Sequence, residues 1–235
     1  MKKTVHKSET RGFANHGWLK SHHTFSFASY QNPERMNFGM LRVLNDDIVQ
    51  PKMGFGTHPH KNMEIISIPI TGALSHKDSM ENKRSIEVNE VQVMSAGTGV
   101  THSEFNDSKT EETNFLQIWI IPNKQEVPPY YDQHFFNSNA CKNKFQTLVS
   151  PRSKTVKGSL PVYQDAYIYK IDLDNNFSIP YTLNNAAYFF LIEGEVSIAD
   201  EKLNARDALG IEYIKEVTIS AHQKSKLLVI DVPMI

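Results

Sequence analysis

The sequence predicts an all-β protein made of two small barrels packed together, and three observations carry that expectation. Helical periodicity is scarce, while short runs rich in Val, Ile, Phe and Tyr recur between turn residues. The pattern breaks between Pro122 and about Leu160, where Pro128-Pro129, Asn137-Ser138-Asn139, Pro151 and Gly158 interrupt any run. The flanking halves also resemble each other weakly once Gly72 is laid on Gly194. Ile65 to Ile70 then matches Ala187 to Ile192, and Ala73-Leu74-Ser75 matches Glu195-Val196-Ser197.

In chain order, the strand-like runs of the first half are Met40 to Leu44, Ile65 to Ile70, Glu90 to Met94 and Phe115 to Ile121. Those of the second are Ala166 to Leu173, Tyr188 to Ile192, Glu195 to Ala199 and Lys226 to Asp231. Residues 1–125 are assigned to an N-terminal barrel, 126–159 to a linker with a short helix around Gln133 to Lys144, and 160–235 to a C-terminal barrel. A chain of 235 residues accommodates two modest cores.

Composition narrows the function. With 40% hydrophobic and 22% charged residues the chain is ordinary globular protein rather than disordered. A formal net charge of -1 provides no basic field for a phosphate backbone, so direct nucleic-acid binding is not expected. Cys141 is the only cysteine, which excludes an intramolecular disulfide framework and any multi-cysteine zinc site. The basic start leads into polar residues, and no run of about 18 apolar residues occurs, so a cytoplasmic protein without membrane segments is expected.

Two segments concentrate metal-ligating side chains: Gly56-Thr57-His58-Pro59-His60 and Gly97-Thr98-Gly99-Val100-Thr101-His102-Ser103-Glu104. Residues two apart on a strand share a face, so His58 with His60, and His102 with Glu104, can each point into one interior. Pro59 fits a strand entrance or edge, and Gly97 and Gly99 permit a tight turn before the second pair. With 10 His in 235 residues a random chain holds roughly 0.4 H-x-H spacings, so that motif alone says little. The joint pattern, each pair following a glycine turn and lying between strand-like runs, points to a metal site. Glu64 has the same parity as His58 and His60, which leaves it open as a ligand.

The segments Gly54-Phe55-Gly56-Thr57-His58-Pro59-His60 and Gly99-Val100-Thr101-His102-Ser103-Glu104 resemble pirins, members of the cupin superfamily. So do His16-Gly17-Trp18-Leu19-Lys20 through Phe25-Ser26-Phe27, Leu41-Arg42-Val43-Leu44-Asn45-Asp46-Asp47, and Leu116-Gln117-Ile118-Trp119. The resemblance spans most of residues 11 to 136 and is faint beyond 160. It implies a bicupin fold, one metal, and ligands at His58, His60, His102 and Glu104. It further implies that some bacterial members cleave the flavonol quercetin with dioxygen. The pirin pattern favours Glu104 over Glu64, which becomes a partner behind the ligands or a solvated carboxylate. Asn106 falls where ordinary cupins have a motif asparagine and reads equally well as a turn residue.

Three imidazoles and one carboxylate suit Fe, Mn, Co, Ni, Cu or Zn, and the resemblance makes Fe(II) the first choice. His22 and His23 are expected to shape the N-terminal strand, and His6, His16, His76, His134 and His222 to be surface or hydrogen-bonded residues. Phe55 and Trp119 can wall a pocket for a flat aromatic substrate, or serve as core. Gln117 shares the parity of Trp119 and can contact substrate or satisfy a strand carbonyl. The leading function is a flavonol dioxygenase with Glu104 as the base for the 3-hydroxyl proton. Its alternative is an iron-dependent redox-sensing protein acting on a transcriptional or metabolic partner. A zinc-type isomerase or hydrolase fits the ligands but not the resemblance. The C-terminal barrel is expected to be metal-free. The glycine alignment sets Pro180 and Thr182 opposite His58 and His60, and aligning Glu90-Val91 with Asp207-Ala208 sets Ile219 and Ala221 opposite His102 and Glu104.

Overall fold

All the strand-like runs form strands, and the strands assemble into four sheets arranged as two facing pairs. The computed structural model describes residues 1–234. In the first half a seven-stranded sheet runs Tyr130–Phe135, Glu90–Ser95, Glu64–Thr71, Thr113–Ile120, Leu41–Val49, Leu19–His23, Gly12–Asn15. Facing it is a four-stranded sheet in the order Gly54–His60, Val100–Asn106, Ala73–Asp78, Lys83–Glu87. The second half repeats the layout. Its seven-stranded sheet runs Lys2–His6, Ala208–Glu212, Ala186–Glu193, Ser225–Val232, Tyr167–Leu173, Gln146–Pro151, Leu160–Val162. Its four-stranded sheet is Ser178–Thr182, Glu216–Ala221, Glu195–Ile198, Glu201–Asn204. Each half is therefore a jelly-roll-like pair of facing sheets rather than a ring of strands closed by continuous hydrogen bonds.

Alternation along the strands feeds two kinds of core. Ile66, Ile68, Leu116 and Ile118 join Tyr188, Phe190, Leu228 and Ile230 of the other half in one apolar cluster, so the large sheets pack back to back. The other face of the second large sheet, with Phe189, Leu209 and Val229, packs on Ile198 and Ile219 to fill the second interior. The first interior is different. Its apolar groups form two separate clusters, one around Leu74 and Phe115 and one around Ile65 and Met94, and a cavity lies between the sheets.

The expected linker carries structure. Tyr130–Phe135 extends the first large sheet by pairing with Glu90–Ser95, and Gln146–Pro151 already belongs to the second. Around Gln133 to Lys144 the structure has the end of that strand and a short 3-10 turn, Ser138–Cys141, in place of the expected helix. A segment passing an open sheet edge satisfies its backbone groups by pairing there, which local composition does not reveal. The second half thus begins near residue 146 rather than 160, and it recruits Lys2–His6 as an edge strand paired with Ala208–Glu212. Among the described residues no helix is long and apolar enough to cross a membrane.

Candidate metal centre

The site is built on one antiparallel pair. Gly54–His60 is the outer strand of the small sheet, where Pro59 removes no ladder hydrogen bond that the sheet needs. It pairs with Val100–Asn106 so that His102 stands opposite His58 and Val100 opposite His60. The register then slips, with Glu104 opposite Phe55, and this bulge at Gly56-Thr57 lets both histidines above it face inward. Gly54 is required just below the bulge, opposite Phe105, because a Cβ there would lie 2.2 Å from the Glu104 carbonyl oxygen.

The three rings converge. Centroid separations are 4.8 Å for His58–His60, 4.4 Å for His58–His102 and 4.9 Å for His60–His102. Their ligand atoms lie within 4.8 Å of one another, and so, in a second group, do those of His76, His102 and Glu104. His102 is common to both. His58 Nδ1 donates to the Gly56 carbonyl at 2.7 Å, which leaves Nε2 with its lone pair free. Burial and then His58 hold the His60 ring down to about 4, and burial with its histidine neighbours holds His102 well below the ordinary range. Both rings are neutral near pH 7, the state a metal ion requires.

Two observations show that these residues fit a divalent metal. His102 is 1% exposed, yet its Nε2 has no hydrogen-bond partner, and such an orphan costs about 1–3 kcal/mol. A cation among the three rings satisfies it. Glu104, 2% exposed, is pushed up to about 7 by burial, although Ser67 and Gln117 oppose the shift. Gln117 Nε2 donates to Oε2 at 2.8 Å, and Ser67 Oγ lies 3.0 Å from Oε1. A nearby cation favours the ionised form of such a carboxyl.

Behind His102 stands a group that the sequence reading left among the surface or hydrogen-bonded histidines. His76 is 1% exposed; its Nε2 donates to Asp78 Oδ2 at 3.0 Å, which makes Nδ1 an acceptor. Gln92 Nε2 donates to that Nδ1 at 3.2 Å, and His102 Nδ1 approaches it to 3.5 Å. With its Nδ1 hydrogen turned to His76, His102 presents Nε2 to the centre. Asp78 is itself held by the backbone N–H groups of Met80 and Asn82. The missed signal was a histidine and an aspartate two apart just after Ala73-Leu74-Ser75, in a strand where both share a buried face.

Glu64 departs from its expected parity. The turn at Lys61–Met63, with Asn62 at φ 48°, separates it from the histidine strand, so alternation does not carry through. It instead accepts from Ser95 Oγ at 2.7 Å and from the backbone N–H of Tyr163 in the other half at 3.2 Å. Asn106 acts as a turn residue, donating to the carbonyls of Val49 and Glu111. Phe55, Gln117 and Trp119 all line the cavity of about 520 Å³ that opens beside the histidines. Gln117 serves Glu104 rather than a strand carbonyl. Trp119 packs edge-on against His60 at 4.9 Å and Phe27 at 5.4 Å.

The second half acts as an internal control. Strand pairing places Ile219 opposite Ile179 and Val217 opposite Tyr181, as His102 stands opposite His58 and Val100 opposite His60. The counterparts of His58 and His60 are therefore Ile179 and Tyr181, one residue off the glycine alignment. His76, Asp78, His102 and Glu104 correspond to Val196, Ile198, Ile219 and Ala221. Every donor of the first half has an apolar or tyrosyl replacement.

Known proteins resemble this chain over nearly its whole length. The Pirin family profile matches residues 4–120, and the profile of the quercetinase C-terminal cupin domain matches residues 147–232. The chain is 41% identical over 231 residues to the quercetin 2,3-dioxygenase of Escherichia coli (strain K12), covering 97% of this chain and 98% of that protein. It is 40% identical over 222 residues to a pirin-like protein of Caulobacter vibrioides, covering 94% and 95%. The crystal structure of the bacterial pirin YhhW from Escherichia coli in complex with nickel(II) superposes with a TM-score of 0.94 at 38% identity, over all of both chains. A quercetin 2,3-dioxygenase from Acinetobacter baumannii, at 18% identity and a TM-score of 0.75, shares the fold. With two facing-sheet units, a histidine cluster in the first, and relatives matched over nearly its full length, the chain belongs to the pirin family.

Proposed function

We propose that the chain is a metal-dependent dioxygenase that cleaves flavonols such as quercetin with dioxygen. The observation that carries this reading is the convergence of three imidazoles and a buried carboxyl beside an aromatic-walled cavity of about 520 Å³, a size that suits a three-ring ligand. His58, His60 and His102 hold one divalent metal with Glu104, and Fe(II) is the first choice. When bound, the metal supplies Lewis acidity and a redox centre for substrate and dioxygen.

The chain's own groups do the rest. Trp119 and Phe55 confine a flat ring and exclude water from the histidine side of the cavity. Glu104 takes the proton of the flavonol 3-hydroxyl, since its carboxyl lines the cavity beside the histidines and a nearby cation keeps it ionised as a base. Gln117 and Ser67 keep its two oxygens oriented as the proton arrives and leaves. The second half holds no metal, since apolar side chains and Tyr181 replace the ligand set there, and it serves as the platform on which the first large sheet packs. The interaction-protein alternative draws no support from the site or from the relatives.

The test is anaerobic reconstitution with Fe(II) and, in parallel, with Ni(II), Mn(II) and Co(II), followed by oxygen uptake with and without quercetin. Quercetin-dependent uptake that disappears in His58→Ala is expected. A protein tightly loaded with metal yet inert toward several flavonols would overturn the reading.

A further inference from the structure

One wall of the cavity is polar, and its end remote from Glu104 takes no part in the chemistry above. A row of side chains crosses the inner face of the first large sheet, strand by strand: Gln92, Ser67, Gln117, Asn45, His23. Its first three members support His76 and Glu104. Asn45 and His23 lie beyond them, with Ser21 and Asp47 in the adjacent register, and all four line the cavity. His23 is 4% exposed and Asp47 3%. At the matching positions of the second half, Asn45 is replaced by Tyr169 and Asp47 by Ile171, so the fold itself does not demand polarity here.

The four groups satisfy one another only in part. His23 Nδ1 donates to Asn45 Oδ1 at 2.9 Å, which leaves Nε2 as an acceptor without a protein partner. Ser21 Oγ donates to Asp47 Oδ1, and Asp47 Oδ2 has no protein partner among the described residues. Two polar atoms thus open onto the same cavity without a protein partner, placed where a ligand can meet both. His23 stands two strands from Gln117, about 10 Å across the sheet, comparable to the length of a flavonoid.

We infer that Ser21, His23, Asn45 and Asp47 form a second subsite, which takes a phenolic hydroxyl on the part of the substrate remote from its metal-chelating oxygens. A hydroxyl donates to His23 Nε2 and can also meet Asp47 Oδ2. The choice of ligand rests on the flavonol reading above; the subsite itself rests on the paired, unsatisfied groups.

The probes are quercetin and 3-hydroxyflavone, which keeps the chelating oxygens and lacks every other hydroxyl. Dissociation constants follow from quenching of Trp18 and Trp119, which line the cavity, alongside oxygen uptake and metal content of the metal-loaded protein. The wild type should bind quercetin at least about tenfold more tightly than 3-hydroxyflavone. His23→Phe and, independently, Asp47→Asn should remove most of that preference while leaving metal content and 3-hydroxyflavone binding near wild type. Equal binding of both flavonols by the wild type, or equal weakening of both in the variants, would overturn the subsite and leave the oxygenase reading intact. A protein that binds and oxidises neither flavonol overturns both.

Discussion

At the scale of single residues, His58 and His102 contribute nitrogen donors from the wall of a cavity rather than volume to a packed core. His58→Ala and His102→Ala should therefore abolish stoichiometric metal binding, read by elemental analysis, while circular dichroism reports an intact fold. Glu64→Ala is the contrast. It removes acceptors for Ser95 and Tyr163 and should lower stability by about 1–3 kcal/mol with metal content unchanged. His76 touches the candidate ligand His102 and sets which nitrogen carries its hydrogen. His76→Phe should weaken metal affinity roughly 10–100-fold by competition against a chelator, and His76→Gln should recover part of the loss. As candidate donors, His58, His60, His102 and Glu104 were legible because their spacing is local. His76 and Asp47 were not, because what distinguishes them is a partner contributed by another strand.

At the scale of elements, the turn before the second ligand pair matters as much as the strands. Gly97 has φ 47°, and a Cβ there would lie 2.0 Å from the Val127 carbonyl oxygen. Gly97→Ala should cost on the order of 1–3 kcal/mol in chemical denaturation and loosen the entry of Val100–Asn106 into the sheet, which lowers metal occupancy as well. The strand-like runs announced themselves by apolar content, and the glycine turns by residue type. Tyr130–Phe135 did not, since it follows Pro128-Pro129, interrupts its aromatics with Asp132-Gln133-His134 and buries no side chain fully, and its pairing with Glu90–Ser95 is what makes it a strand. Strand parity likewise failed at Glu64, where a three-residue turn resets the face.

At the scale of the whole molecule, the two halves share a core. Ile66, Leu116, Tyr188 and Leu228 belong to one cluster, so a fragment of residues 1–125 exposes the outer face of its large sheet and should be insoluble or aggregate when expressed alone. His6 marks the same junction. Its Nδ1 meets the Tyr188 hydroxyl at 2.7 Å, and burial, with Arg35 adding to it, lowers the ring from 6.5 to about 4. The unfolded chain takes up this proton first as pH falls, so stability is complete above about 6.5 and is lost as pH falls toward 4. His6→Phe should lose on the order of 2 kcal/mol less than wild type across that window, by denaturant titration at each pH. The sequence by itself determined the all-β class and the duplicated plan and singled out four candidate donors for a metal, because each is written in residues close together along the chain. Tertiary structure alone decided that Lys2–His6 joins the second half, that the linker is strand, and that a polar row crosses the first interior. Those features arise from pairing between distant strands, which no local pattern encodes.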